Sequence, residues 1–176
     1  MTDLGLLHFF MSIQVLQMDD GIFLSQPKYA LDLLKRFKME DYKAYSTTFE
    51  SGVKLTKDCN SAKVDATLYE QLVGHLIYLT HSRPYISFAI SVVSRFMQDP
   101  WERNLKEDKN IVLYIKGTYQ FGIKYGRNTD KLVSFTYSDW DGDIDDWKST
   151  SGCAFFGAVD LWFDHAKIKR LFLCRQ

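Results

Sequence analysis

Net charge is the first thing this sequence lacks: its 176 residues carry 22 Lys and Arg against 22 Asp and Glu. A chain that binds nucleic acid by itself is usually basic, so this balance argues against that role at the level of the whole molecule. Only local patches remain to carry it. Residues 103–131 hold seven basic side chains against Glu107, Asp108 and Asp130, a net of +4. Cysteine is also scarce. Cys59, Cys153 and Cys174 are odd in number and far apart, with no C-x-x-C. Neither a zinc site nor a disulfide framework is indicated, and a reducing intracellular setting, cytoplasm or nucleus, is expected. No apolar run approaches the roughly 20 residues that span a bilayer, so no membrane partner is expected. The opening Met1-Thr2-Asp3-Leu4 lacks the basic-then-apolar pattern of a secretory signal.

What is present is enough to fold. Hydrophobic residues make up 46% and aromatics 15% of the chain, so it can bury a core. His8 to Leu16 alternates as a strand with Phe9, Met11, Ile13 and Val15 on one face. Asp19-Asp20-Gly21 supplies an Asp-Gly pair suited to a tight hairpin, and Gly21 to Ser25 returns as the second strand. Pro27 fits a helical first turn. Ala30, Leu33, Leu34 and Phe37 then fall on one helical face. Lys38 to Val64 has no sustained periodicity and reads as a long loop, unusual inside a compact domain.

Asp65 is an N-cap for a helix to about His81 that buries Leu68, Leu72, Val73, Leu76 and Leu79. A second helix, about Tyr85 to Met97, buries Ile86, Ala89, Ile90, Val93 and Phe96 or Met97. A third runs from about Glu102 to Lys116 with Gly117 as its C′ residue. Its first half is polar, with only Leu105 to anchor it. Phe121 to Gly126 and Lys131 to Tyr137 read as strands joined by Arg127 to Asp130, and Leu161 to Phe163 as a short strand.

The stretch Val133 to Phe156 reads as strand, acidic turn, strand, with five acids in eight positions: Asp139, Asp141, Asp143, Asp145 and Asp146. Asp139 and Asp143 are weak metal candidates. The turn is not an EF-hand loop, because its glycine is fourth and Thr150 stands where a bidentate Glu is needed. A solvated acidic turn is the simpler reading. His75, His81 and His165 show no ligand spacing, and the four tryptophans are not clustered.

The words DLGLLHFF, SIQV, GIFLSQPKYALDLLKRF, YEQLVGHLIYLTHSRP, SFAISVVSRFM, YIKGT and SDWDGDIDDWKSTSG resemble, in this order, the polymerase end of a copia-type retrotransposon Pol polyprotein. The resemblance covers about Asp3 to Phe156. It implies an α+β chain in three parts: a primer-grip-like β-hairpin over 1–26, a helical thumb- or connection-like region over 27–120, and a truncated ribonuclease H-like sheet over 121–176. The implied partners are an RNA or DNA template-primer and an RNA–DNA hybrid. Met11, Ser12, Ile13 and Gln14 would hold the primer, and Arg95 and Lys116, with Lys109, Lys124 and Arg127, could face phosphates. No cofactor is expected for this stretch, although intact members use Mg²⁺.

The departures from the family's pattern bear on activity. The polymerase Tyr-x-Asp-Asp turn lies upstream of Asp3. Tyr137 occupies the position of the first ribonuclease H aspartate, and the remaining carboxylates lie beyond residue 176. Ser12 replaces a glycine, His75 a small residue, and Tyr85 the aspartate after Arg83-Pro84. A basic stretch before Tyr114 has become Glu107-Asp108-Lys109-Asn110. The expectation is a degenerate, catalytically inactive fragment, or else a residual nucleic-acid-binding module using the helices.

Overall fold

The computed structural model describes residues 5–48, 55, 61–126, 133–139, 150–156, 159–163 and 166–168, the last four stretches as strand backbone. It is a mixed helix and sheet structure. In chain order the elements are β1 (Phe9–Phe10), β2 (Ile13–Met18), β3 (Gly21–Ser25), α1 (Pro27–Arg36), α2 (Ala66–Leu79), α3 (Ser87–Val93), α4 (Glu102–Gly117), β4 (Gly122–Gly126), β5 (Val133–Asp139), β6 (Thr150–Phe156), β7 (Val159–Phe163) and β8 (Ala166–Ile168). Single 3₁₀ turns, Pro84–Ile86 and Ser94–Phe96, flank α3. The expected second helix is therefore one short α segment between two tighter turns.

The strand expected over His8 to Leu16 is broken. Met11 and Ser12 both take positive φ, 45° and 60°. That conformation makes a two-residue turn which folds β1 back on β2, pairing Phe9 with Gln14 and Phe10 with Ile13. The next turn uses Asp19 and Asp20, since Met18 pairs with Gly21. Gly21 is thus a strand residue and not the left-handed half of an Asp-Gly turn. Its lack of a side chain serves close approach, because a Cβ there would sit 2.1 Å from the Tyr125 carbonyl oxygen.

One sheet has the order β1-β2-β3-β4-β7-β8 with antiparallel pairing throughout, and β5-β6 form a separate antiparallel pair. β4 and β5 lie in different sheets. β4 pairs with β3, Ser25 opposite Gly122. All four helices are therefore inserted between two neighbouring strands.

α1 begins on Pro27 and ends in a Schellman motif: Met39 N–H donates to Leu34 O and Lys38 N–H to Lys35 O, with Lys38 at φ 54°. Asp65 caps α2 by accepting from Thr67 N–H at 2.9 Å. The buried face of α2 is Tyr69, Leu72, Val73, Leu76 and Leu79. Leu68, expected inside, is 42% exposed. Tyr69 takes the inward place because its phenol can reach a partner, donating to Val93 O at 2.8 Å. These residues join Ala30, Leu33 and Leu34 of α1, Ala89, Ile90 and Val93 of α3, and Ile111, Val112 and Ile115 of α4 in one core. Phe96 rather than Met97 is the buried residue after α3. α4 includes Gly117, and Thr118 is its C-cap. Its inner face, read as poorly anchored, buries Asn104, Glu107, Asp108 and Asn110.

Candidate nucleic-acid interface

The β1–β2 turn presents its side chains outward. Met11 is 69% exposed, Gln14 is exposed, and Ser12 and Ile13 are half-buried. The turn is fixed from two sides. Val15 N–H donates to His8 O at 2.9 Å, and the Tyr78 phenol on α2 donates to Met11 O. The hairpin residues implied by resemblance are therefore tethered to a helix.

Tyr78 is also one rung of an aromatic series that the sequence reading missed. Its ring centroid lies 4.8 Å from Tyr29 and 5.5 Å from His81. Tyr29 Oη and His75 Nδ1 are hydrogen-bonded at 2.6 Å, and Phe37 meets His75 edge-on at 6.0 Å. The available signal was the spacing His75-x-x-Tyr78-x-x-His81, which places two rings on α2 and a third just past its C-cap. As separate histidines they suggested no ligand set. As a stripe they make a surface of rings beside the turn, His75 and Tyr78 half-buried and His81 exposed. Burial, and secondarily the charge of Arg36, pushes the His75 pKa down. Burial raises that of Tyr29, with Tyr78 adding and Arg36 opposing. Both groups are thus held toward their neutral forms.

Comparison with known proteins decides the lineage. No family model and no solved structure matches the chain. The retrovirus-related Pol polyprotein from transposon RE1 of Arabidopsis thaliana is 40% identical over 148 residues, 83% of this chain. That from transposon TNT 1-94 of Nicotiana tabacum is 35% identical over 76% of the chain. The chain belongs to the copia-type retrotransposon Pol polyproteins. It spans about a tenth of those two relatives, 10% and 11% of their lengths. An uncharacterized mitochondrial protein of Arabidopsis thaliana is 38% identical over 89% of the chain, which covers 66% of that relative.

In this Pol segment the expected phosphate-facing cations are not gathered into one patch. Lys116 Nζ donates to the Glu40 and Tyr42 carbonyls, the latter at 2.6 Å, and so clamps the loop after α1. Lys124 is 3% exposed and ion-paired to Asp20. Arg95 is half-buried with partners of its own, whereas Lys109 is exposed on α4. Arg127 lies outside the described residues. Tyr137 lies in β5 opposite Gly152, and Asp139 ends that strand opposite Thr150. Asp143 and the rest of the acidic turn lie outside the described residues. Among the described residues no group of three His, Cys, Asp or Glu side chains could hold a metal ion. A phenol of pKa near 10 is also a poor substitute for a carboxylate ligand. No step is assigned to Mg²⁺. No helix among the described residues is long and apolar enough to cross a membrane.

Two buried ionisable groups lie away from this surface. Arg83 is fully buried and donates to Tyr119 O at 2.6 Å. Burial lowers its pKa while Tyr85 opposes that shift. The Tyr85 phenol is itself pushed up to about 12, first by burial. It is a neutral partner of the Arg83 guanidinium. Asp108 is fully buried beside Tyr69, and burial holds its carboxyl well above the usual range, with Tyr69 opposing and Glu107 adding.

Proposed function

We propose that this segment holds a nucleic-acid strand for a copia-type Pol polyprotein and does not itself perform chemistry. The observation that carries the reading is the bond from Tyr78 to Met11 O. It joins the turn implied as primer-holding to the ring series Tyr78, Tyr29, His75. Rings of this kind stack on bases with little regard to sequence, each worth about 1–3 kcal/mol. The ligand would be a template-primer or an RNA–DNA hybrid. The β5–β6 pair would be the opening hairpin of a ribonuclease H-like sheet. RNA-directed DNA synthesis and hybrid cleavage belong, in this reading, to the whole polyprotein.

The test is titration of the full chain with a labelled RNA–DNA hybrid across a salt series. Binding should weaken steeply with salt, as counterion release requires. Tyr78→Ala should weaken binding about five-fold or more through loss of one stacked ring. No detectable binding at low salt would leave the chain a remnant without a ligand.

A further inference from the structure

The outer face of α4 differs from its inner one. Arg103, Lys106 and Lys109 recur at i, i+3 and i+6 and are all exposed, a spacing that brings them onto one side of the helix. A cavity of about 440 Å³ lies against that side, lined by Ser61, Glu102, Arg103, Leu105, Lys106 and Lys109. Three cations against the Glu102 carboxylate leave it a net charge of +2. Among the described residues none of the three forms an ion pair, whereas the nearby acid Asp99 is already neutralised by Lys63 at 2.8 Å.

The opposite wall is preformed. Glu102 N–H donates to Ala62 O at 2.9 Å and Val64 N–H to Pro100 O at 3.1 Å. Lys63 and Trp101 form a β-bridge, and the Lys63 ammonium sits 5.3 Å from the Trp101 ring centroid. These contacts pin the Ser61 segment against the start of α4. Ser61 Oγ is closed off from solvent and has no hydrogen-bond partner among the described residues.

We infer that this cavity is a phosphate-binding site, separate from the aromatic surface and independent of the reading given for it. Three cations with no ion pair among the described residues supply charge-assisted hydrogen bonds to a tetrahedral oxyanion. A volume of about 440 Å³ also leaves room for a sugar attached to it. Leu105 gives that sugar an apolar contact. The phosphate could come from a nucleic-acid backbone or from a free nucleotide or inorganic phosphate.

The experiment uses the full chain, titrated at low salt with inorganic phosphate and, separately, with a labelled single-stranded oligonucleotide. Wild type is compared with R103Q/K106Q/K109Q and with Tyr78→Ala, and Lys106→Glu alone serves if the triple variant fails to fold. The triple variant should weaken phosphate binding at least about ten-fold. If the source is a backbone, its oligonucleotide affinity should fall similarly and its salt slope should shrink by about 2, from three contacts at about 0.7 each. Loss of phosphate binding with oligonucleotide affinity unchanged also supports the site and assigns it to a free phosphate. Phosphate and oligonucleotide affinities both unchanged in the triple variant, or in Lys106→Glu, overturn it. Weakening by Tyr78→Ala but not by the triple variant sinks this site while sparing the aromatic surface.

Discussion

Among the described residues, Met11, Ser12 and Lys38 stand in the left-handed region that glycine tolerates best. Ser12 at φ 60° closes the β1–β2 turn and Lys38 at φ 54° closes α1. An L-residue pays about 1–2 kcal/mol there, partly offset in a glycine variant by the freer unfolded chain. Ser12→Gly and Lys38→Gly should each stabilise the fold by about 0.5–1 kcal/mol, read as a higher urea midpoint at unchanged slope. Asp108 has the opposite character: it is fully buried, and neither carboxylate oxygen has a hydrogen-bond partner at normal distance. Its raised pKa means the folded chain binds the proton more tightly than the unfolded one. Its contribution is therefore favourable below the ordinary carboxylate range and is lost as pH climbs toward the raised pKa. Asp108→Asn should stabilise the protein at neutral pH by about 1–3 kcal/mol and remove that falling limb. Urea melts at about pH 4 and about pH 7 would show it; a variant that is less stable than wild type at both would refute the assignment.

At the scale of elements, the contact between β3 and β4 fixes the arrangement. A Cβ on Gly122 would stand 2.2 Å from Leu24 O and 2.8 Å from the Phe23 ring, and a backbone carbonyl in a paired strand cannot step aside. Gly122→Ala should cost about 1–3 kcal/mol and raise amide exchange along β4 ahead of α2. Uniform exchange in both elements would mean that the pairing is not local to that glycine. α4 shows why helix periodicity could mislead here. Its inner stripe is chemically polar, so the pattern of apolar residues understated how much of the helix is covered. Trp101 N–H donating to the Asn104 side chain at 2.9 Å and Asn110 Nδ2 donating to Glu107 Oε2 at 3.3 Å satisfy part of that stripe. α2 shows the converse, since Leu68 and Tyr69 are adjacent and only a hydroxyl partner on the next element decides which turns inward.

For the molecule as a whole, the question is whether this stretch carries a hydrolytic centre. Strand β5 ends Tyr137-Ser138-Asp139, so residues 137 and 139 fall on one face of the strand. Even with Tyr137→Asp, two carboxylates from one strand do not cage two ions about 4 Å apart. That variant should leave Mg²⁺-dependent cleavage of a labelled hybrid at background. Recovered cleavage that is abolished again by Asp139→Asn would place a metal centre in this chain. The helices form a single core inserted between β3 and β4, so loosening the sheet and loosening the core should be felt together in a cooperative unfolding transition.

Local chemistry was readable from the sequence. The apolar faces of α1, α2 and α3, the Asp65 cap, the Pro27 start and the family motifs all depend on residues within a few positions of one another. The tertiary structure alone decided the rest. It placed β4 beside β3, folded Met11 and Ser12 into a turn, aligned Tyr78 with Tyr29 and Met11, and turned Asp108 inward. Each of those outcomes depends on a partner brought up from a distant part of the chain. A side chain's burial or a strand's neighbour is set by what the rest of the fold leaves open to it, which periodicity in one segment does not encode.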